Sequence, residues 1–206
     1  MKPVIVVGTD TGVGKTVFSA GLSAALGASY WKPVQSGLEE ATDSEVVADL
    51  AGVPVLPEAY RLRMPASPHL SAEDMGIEID PARLALPKIQ GPLVVEGAGG
   101  LMVPLTRQLY FLDVIAGWDC PVVLVARTQL GTINHTTLSL MALRRAGCEV
   151  VGVVFSGSPE PAVEDTITQM SQIPHLGRLD VIRDLNRATL ARAMQAIDVD
   201  RIRGAL

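Results

Sequence analysis

Gly12, Gly14, Lys15 and Thr16 stand near the start of the chain in the order that phosphate binding requires. Glycines let a backbone turn tightly and take positive φ, so that successive N–H groups can face one anion. Lys15 adds a mobile cation, and the Thr16 hydroxyl is a ligand for Mg²⁺. The spacing departs from the strict G-x-x-x-x-G-K-T pattern, because Gly8 lies one residue too early and Thr9 holds the expected glycine position. An ordinary strand-to-helix turn with a chance Gly-Lys-Thr is the alternative. The flanking elements decide for phosphate. Val4 to Val7 is an unbroken β-branched run, as in a strand buried on both faces of a parallel sheet. After Lys15, Val17, Ala20, Gly21, Ala24 and Ala25 recur at helical spacing.

Two carboxylates and a second lysine could serve the same phosphates. Glu96 closes the apolar run from Leu93 and is followed by Gly97-Ala98-Gly99-Gly100. It can hold Mg²⁺ directly or through water. A strand-end carboxylate in solvent is the other reading, and the glycines behind it, which admit a ligand closely, favour the metal. Asp43 is a second metal-side carboxylate or the N-cap of a helix over 43–50, and the two are compatible. Lys32 is a second cation near the phosphates or a surface lysine at a strand end. His69, His135 and His175 show neither metal spacing nor a partnered serine or cysteine. Without a protein nucleophile, the chemistry is positioning and charge on a phosphoryl group.

These residues need a scaffold, and the rest of the chain supplies one. Leu93–Glu96, Val122–Ala126 and Val150–Phe155 are further buried strands, and 29–32 is a short one. Residues 33–37 read as a loop, and 52–76 as a proline-rich irregular stretch. Helices are predicted over 134–146, ended by Gly147, and over 161–172 and 185–197. Strands alternating with helices predict an α/β fold in which a mostly parallel central sheet is covered on both faces. No linker divides the 206 residues, so a single domain is expected. In such sheets ligands collect at the carboxyl ends of the strands, where the phosphate loop, Lys32, Glu96, Arg127 and Ser156-Gly157 all lie.

Composition narrows the function. A net charge of −5 and 4% aromatic residues argue against a nucleic-acid or acidic-membrane partner. No apolar run approaches the roughly 20 residues that span a bilayer. The first strand begins almost at Met1, which leaves no room for a signal peptide, and Cys120 and Cys148 are isolated. A cytoplasmic protein with reduced thiols is expected.

Gly8-Thr-Asp-Thr-Gly-Val-Gly-Lys-Thr16, Lys32-Pro-Val-Gln-Ser-Gly37, Ser67-Pro-His69, Glu96-Gly-Ala-Gly-Gly100 and Leu130-Gly-Thr-Ile-Asn-His135 resemble, in that order, the dethiobiotin synthetases. The early glycine of the phosphate loop is that family's own form. The resemblance covers the chain to about residue 157 and implies a P-loop NTPase-like fold. It implies Mg²⁺- and ATP-dependent ring closure of 7,8-diaminopelargonic acid with CO₂, through a carbamate and its phosphate, in a homodimer. Carried over, Gly12, Val13, Gly14, Lys15, Thr16 and Val17 hold the triphosphate, with Gly97, Ala98 and Gly99 beside it. Thr16, Asp43 and Glu96 surround Mg²⁺. Lys15 and Lys32 are catalytic, and Thr11 and Ser36 border the diamine. Gly131, Thr132, Ile133 and Asn134 receive the substrate carboxylate from the other subunit, where a helix start carries about half a positive charge.

Two departures touch the base-binding side. Ser156-Gly157 stands where the family often has Asn-Arg, and Asp180 where a proline is frequent. A serine hydroxyl donates or accepts for any base, so looser selection among ATP, CTP, GTP and UTP is expected. A partitioning-type switch ATPase is the alternative function. Such proteins usually carry another lysine early in the loop, where this chain has Asp10. A larger amidating synthetase would need a glutaminase domain, for which the chain has no space. A plain nucleotide-binding module would need neither Lys32 nor the segment at Gly131.

Overall fold

The computed structural model describes all residues from Met1 to Leu206. Its first half contains β1 (Val4–Gly8), α1 (Lys15–Leu26), β2 (Ser29–Trp31), β3 (Val34–Ser36), α2 (Asp43–Ala51), β4 (Val55–Leu56), β5 (Tyr60–Leu62), α3 (Pro68–Asp74) and β6 (Leu93–Gly100). The second half continues with α4 (Phe111–Trp118), β7 (Val122–Arg127), α5 (Thr132–Arg145), β8 (Val150–Ser156), α6 (Pro161–Ser171), β9 (His175–Leu179), α7 (Arg187–Ala193) and α8 (Val199–Gly204).

Seven strands form the central sheet in the order β4-β2-β6-β1-β7-β8-β9. Every pairing in it is parallel, as the doubly apolar strand sequences demand. Alternation along β1 splits the core in two. Val4 and Val6 pack with Phe18 and Leu22 of α1, Val47 of α2, Leu190 of α7 and Ile202 of α8. Ile5 and Val7 pack with Phe111 of α4, Leu140 of α5 and Ile167 of α6. The chain therefore leaves β1 toward one face, while β6 and β7 on either side of it send their helices to the other. A crevice opens at such a divergence, beyond the carboxyl ends of the strands.

Several local expectations are corrected. Residues 33–37 are not simply a loop: Val34–Ser36 pairs in parallel with Tyr60–Leu62, making a second, two-stranded sheet. The stretch 52–76 is ordered into β4, β5 and α3. Asp43 is not the N-cap of α2. Thr42 caps it, accepting from the Glu45 N–H while the Glu45 carboxylate accepts from the Thr42 N–H. That capping box leaves the Asp43 side chain free for other partners. Glu96 does not close its strand, because β6 continues to Gly100 with a register shift against β1. Helix α5 starts two residues earlier than predicted, and the single helix over 185–197 is α7 followed by a 3₁₀ turn, with α8 beyond it. Cys120 and Cys148 are unpaired. No helix is long and apolar enough to cross a membrane.

Candidate active site

The loop from β1 to α1 places its glycines where the backbone needs them. Gly12 has φ +72° and Gly14 φ +94°, and Gly14 is the N-cap of α1. No side chain caps that helix, so its first N–H groups face the crevice without a protein acceptor. Val13 points the other way, buried among Phe18 and Val125, and anchors the loop to the core. The Lys15 side chain folds back, its Nζ donating to the Asp10 carbonyl at 2.8 Å. Burial, and then the neighbouring Lys32 charge, pull its ammonium down to about 8. An arriving polyanion relieves that penalty, because it favours the charged form.

Opposite the loop, two carboxylates and a lysine are locked together. Val6 and Glu96 are register partners, so Glu96 projects to the α1 face and meets the first turn of that helix. Thr16 Oγ1 lies 2.7 Å from Asp43 Oδ1 and 3.0 Å from Glu96 Oε1. One hydroxyl proton cannot serve both contacts at once, so three hard oxygens converge with a single hydrogen among them. That donor set suits Mg²⁺, which binds through one or two carboxylates and completes its shell with water and phosphate. Lys32 Nζ bridges the acids at 2.5 Å from Asp43 Oδ2 and 3.0 Å from Glu96 Oε1, and also donates to the Gly97 carbonyl at 3.1 Å. Lys32 is only 3% exposed, which excludes the surface-lysine reading. Burial would pull its ammonium down, but Glu96 and Asp43 outweigh it and hold the group charged. Burial likewise pushes Asp43 up, and the Lys32 charge with the Lys32 and Thr16 hydrogen bonds brings it below its ordinary value.

A cavity of ≈ 730 Å³ opens between these groups. Thr11, Gly12, Gly14, Lys15, Thr16 and Val17 line one side, and Lys32, Ser36, Asp43, Glu96, Ala98 and Gly99 the other. The Ser36 hydroxyl is buried there without a hydrogen-bond partner. Gly97 contributes its carbonyl to Lys32, and a Cβ on it would come within 3.2 Å of Phe111. Four expected contacts lie elsewhere. Gly131, Thr132, Ile133 and Asn134 form the start of α5 and do not border this cavity within one subunit. The Thr132 hydroxyl donates to the Arg127 carbonyl, so that side chain serves the strand-to-helix joint. The N–H groups of Ile133 and Asn134 have no acceptor in the chain. Ser156 and Gly157 also lie outside the cavity, beyond Gly14. A Cβ on Gly14 would collide with the Ser156 hydroxyl, so the serine abuts the loop.

Two positioning residues escape a reading of motifs. Tyr30, fully buried, donates its hydroxyl to Glu96 Oε2 at 2.9 Å. Burial and then the Glu96 charge push its phenol well above its ordinary value, so it stays a donor. Gln35 accepts from the Asp43 N–H at 3.2 Å while its amide donates to the Ser36 and Gly37 carbonyls. Gln35 stands inside the Lys-Pro-Val-Gln-Ser-Gly motif, the one signal that could have drawn attention to it.

Comparison with known proteins agrees with this geometry. A family model described as an AAA domain matches residues 2–189. The chain is 54% identical over 204 residues to an ATP-dependent dethiobiotin synthetase of Rhodopseudomonas palustris (strain HaA2), covering 96% of each chain. It is 55% identical over 205 residues to that of Brucella anthropi, covering 98% of this chain and 97% of the other. Among solved structures it resembles the cell division ATPase MinD of Pyrococcus furiosus, with a TM-score of 0.64 and 15% identity over 100% of both chains. A ParA family ATPase from Chlorobium tepidum TLS matches with a TM-score of 0.57 and 10% identity, over 100% of this chain and 94% of that one. At such identities the structural likeness speaks for the fold alone.

Proposed function

The chain belongs to the family of ATP-dependent dethiobiotin synthetases, ligases that form carbon–nitrogen bonds, and from that premise we propose that it closes the cyclic urea of dethiobiotin. The substrates in this reading are 7,8-diaminopelargonic acid, CO₂ and ATP or another nucleoside triphosphate. One amine adds to CO₂ and loses a proton, giving a carbamate. A carbamate oxygen attacks the γ-phosphorus as the bond to the β-phosphate oxygen breaks. The second amine then attacks the carbonyl of the carbamic phosphate, inorganic phosphate departs with the C–O electron pair, and the ring closes.

Each step has residues suited to it. The N–H groups from Gly12 to Val17 and the Lys15 ammonium hold the triphosphate, Lys15 on the β- and γ-oxygens. Ala98 and Gly99 border the cavity where the triphosphate would approach β6, and Gly97 stands beside them with its carbonyl on Lys32. Lys32 stabilises the carbamate and the transferring phosphoryl group, and its carboxylate partners fix it against reorientation. Thr16, Asp43 and Glu96 would hold Mg²⁺, whose charge offsets that of the phosphates when it is bound. Thr11 and the unpartnered Ser36 hydroxyl border the diamine. Ser156 and Gly157 flank the nucleoside end. The free N–H groups at the start of α5 take the substrate carboxylate of the neighbouring subunit, so the working unit is a homodimer. Exposed Ile133, Leu138 and Met141, at 39% exposure or more, with Leu130 just before the helix, give α5 a surface suited to burial against a second copy. Residues 1–206 act as one domain of a cytoplasmic enzyme.

The observation that carries this reading is Lys32, a charged lysine buried beside the phosphate loop at the cost of its hydration. A switch ATPase of the MinD or ParA kind has no use for the diamine. Phosphate release measured with each substrate omitted in turn separates the two. Release that requires both diamine and bicarbonate supports the synthetase; release that ignores them refutes it.

A further inference from the structure

Arg127 ends β7 at the crevice, and its Nε is buried without a hydrogen-bond partner. It is the one arginine of the chain with such an orphaned donor, and its guanidinium makes no ion pair with any carboxylate. A guanidinium only donates and keeps its charge, so it cannot escape the penalty by losing a proton. A desolvated donor left in this way calls for an acceptor from outside the chain.

Register says where that acceptor would come from. Arg127 and Ser156 are partners on neighbouring strands, and two residues earlier Val125 pairs with Val154. Both valines lie in the core beneath α1, so Arg127 and Ser156 project to the α1 face as well. Ser156 touches Gly14, the residue that opens α1. The groups for the reacting phosphoryl, Lys32 and Glu96, lie on the other side of β1, over β2 and β6. A triphosphate whose γ-end faces Lys32 must run its nucleoside end across Gly14 toward β7 and β8. That path ends on Arg127. Little else can read the ligand there. Ser156 is short, and Gly157, at φ +130°, has no room for a side chain, since a Cβ would come within 2.7 Å of the Thr128 hydroxyl.

We infer that Arg127 binds the nucleoside half of the triphosphate, donating to an acceptor atom of either the ribose or the base. The inference rests on the reading of the loop as a nucleotide cradle. It adds a contact that the phosphate-loop pattern does not contain.

Equilibrium binding with Mg²⁺ tests it, using ATP, CTP, GTP, UTP and inorganic tripolyphosphate on wild type, Arg127→Gln and Arg127→Lys. Losing one charge-assisted hydrogen bond predicts nucleotide affinity about tenfold weaker in the glutamine variant, with partial recovery in the lysine variant. Tripolyphosphate, which has no nucleoside, should change by less than about twofold. An equal loss across the four bases assigns the contact to the ribose, and a base-dependent loss assigns it to the base. Unchanged nucleotide affinity in Arg127→Gln, or an equal loss for tripolyphosphate, overturns the inference. A wild type that binds tripolyphosphate and nucleotide equally also overturns it, whereas one that binds none of them refutes the cradle itself. Should the variants fail to fold, phenylglyoxal labelling of the wild type reads the same contact: nucleotide must protect Arg127 where tripolyphosphate does not.

Discussion

Lys32 concentrates the account at the scale of single residues. In the proposed mechanism it supplies a preorganised charge to the transition state, and removing such a charge costs on the order of 3 kcal/mol. Lys32→Ala should therefore lower kcat roughly a hundredfold or more while nucleotide affinity changes little. Normal turnover at saturating substrate contradicts that role. Lys32 also separates buried Glu96 from half-buried Asp43, so its loss sets the two acids against each other with no cation between them. If those acids hold Mg²⁺, the ion should raise the melting temperature of Lys32→Met more than that of wild type. An equal shift would place the metal elsewhere. Selection among nucleotides is the third expectation at this scale. With Ser156-Gly157 supplying no side-chain amide at the proposed base side, kcat/KM for CTP, GTP or UTP should fall within about two orders of magnitude of ATP. A preference beyond roughly a thousandfold means that another group reads adenine. Glycine spacing made the phosphate loop legible in the sequence, the end of β2 pointed to Lys32, and the glycines after Glu96 singled it out, although it lies inside β6 and not at its end. Tyr30 and Gln35 were not legible, because Tyr30 acts through the Glu96 carboxylate and Gln35 through the Asp43 N–H, groups that only folding brings near. For Asp43, the sequence signal for a cap was real but belonged to its neighbour Thr42.

Elements were legible in proportion to their length and burial. The long strands of the sheet centre announced themselves, since both faces are covered and their residues are apolar except where they reach the crevice. The pair β3 and β5 did not, being three residues each and split by a helix and a proline-rich stretch. Helix α4 was hidden too: it is short, contains Gly117, and starts at Tyr110, an unusual cap. The edge strand β9 carries Gly177, His175 and Arg178, which obscure any strand pattern. Its link to α6 is instead polar. Buried Glu164 meets His175 Nε2 at 2.8 Å and Arg178 Nη1 at 2.9 Å. Burial pushes that carboxyl up, but His175, the Glu160 N–H and Arg178 hold it below its ordinary value of 4.5. A lowered carboxylate stabilises the fold above its unfolded pKa, and the contribution is lost as pH falls through the folded value. Glu164→Gln should therefore cost about 2 kcal/mol at pH 7, roughly 4–8 °C in melting temperature. The gap should narrow as the pH drops below about 4. A gap that stays constant to pH 3 would show that the charge on Glu164 contributes nothing.

For the whole molecule, the covered parallel sheet followed from alternation of strand and helix, and the crevice from the divergence of connections around β1. The proposed second subunit came only from the resemblance, because nothing in a sequence separates a helix exposed to water from one exposed to another copy; the fold leaves Leu138 and Met141 of α5 exposed. Charges at those two positions, Leu138→Glu with Met141→Glu, should leave a monomer in sedimentation. That monomer should bind nucleotide normally and make no product; full activity in the monomer contradicts the shared site. All of this rests on the carbon–nitrogen ring closure itself, and one measurement addresses it directly. Protein, Mg²⁺, ATP and 7,8-diaminopelargonic acid are incubated with ¹³C-bicarbonate, and the products are followed by carbon NMR and nucleotide analysis. The account predicts label in the carbonyl of a cyclic urea, one ring for each nucleoside diphosphate released. Nucleotide hydrolysis with no labelled urea would contradict it.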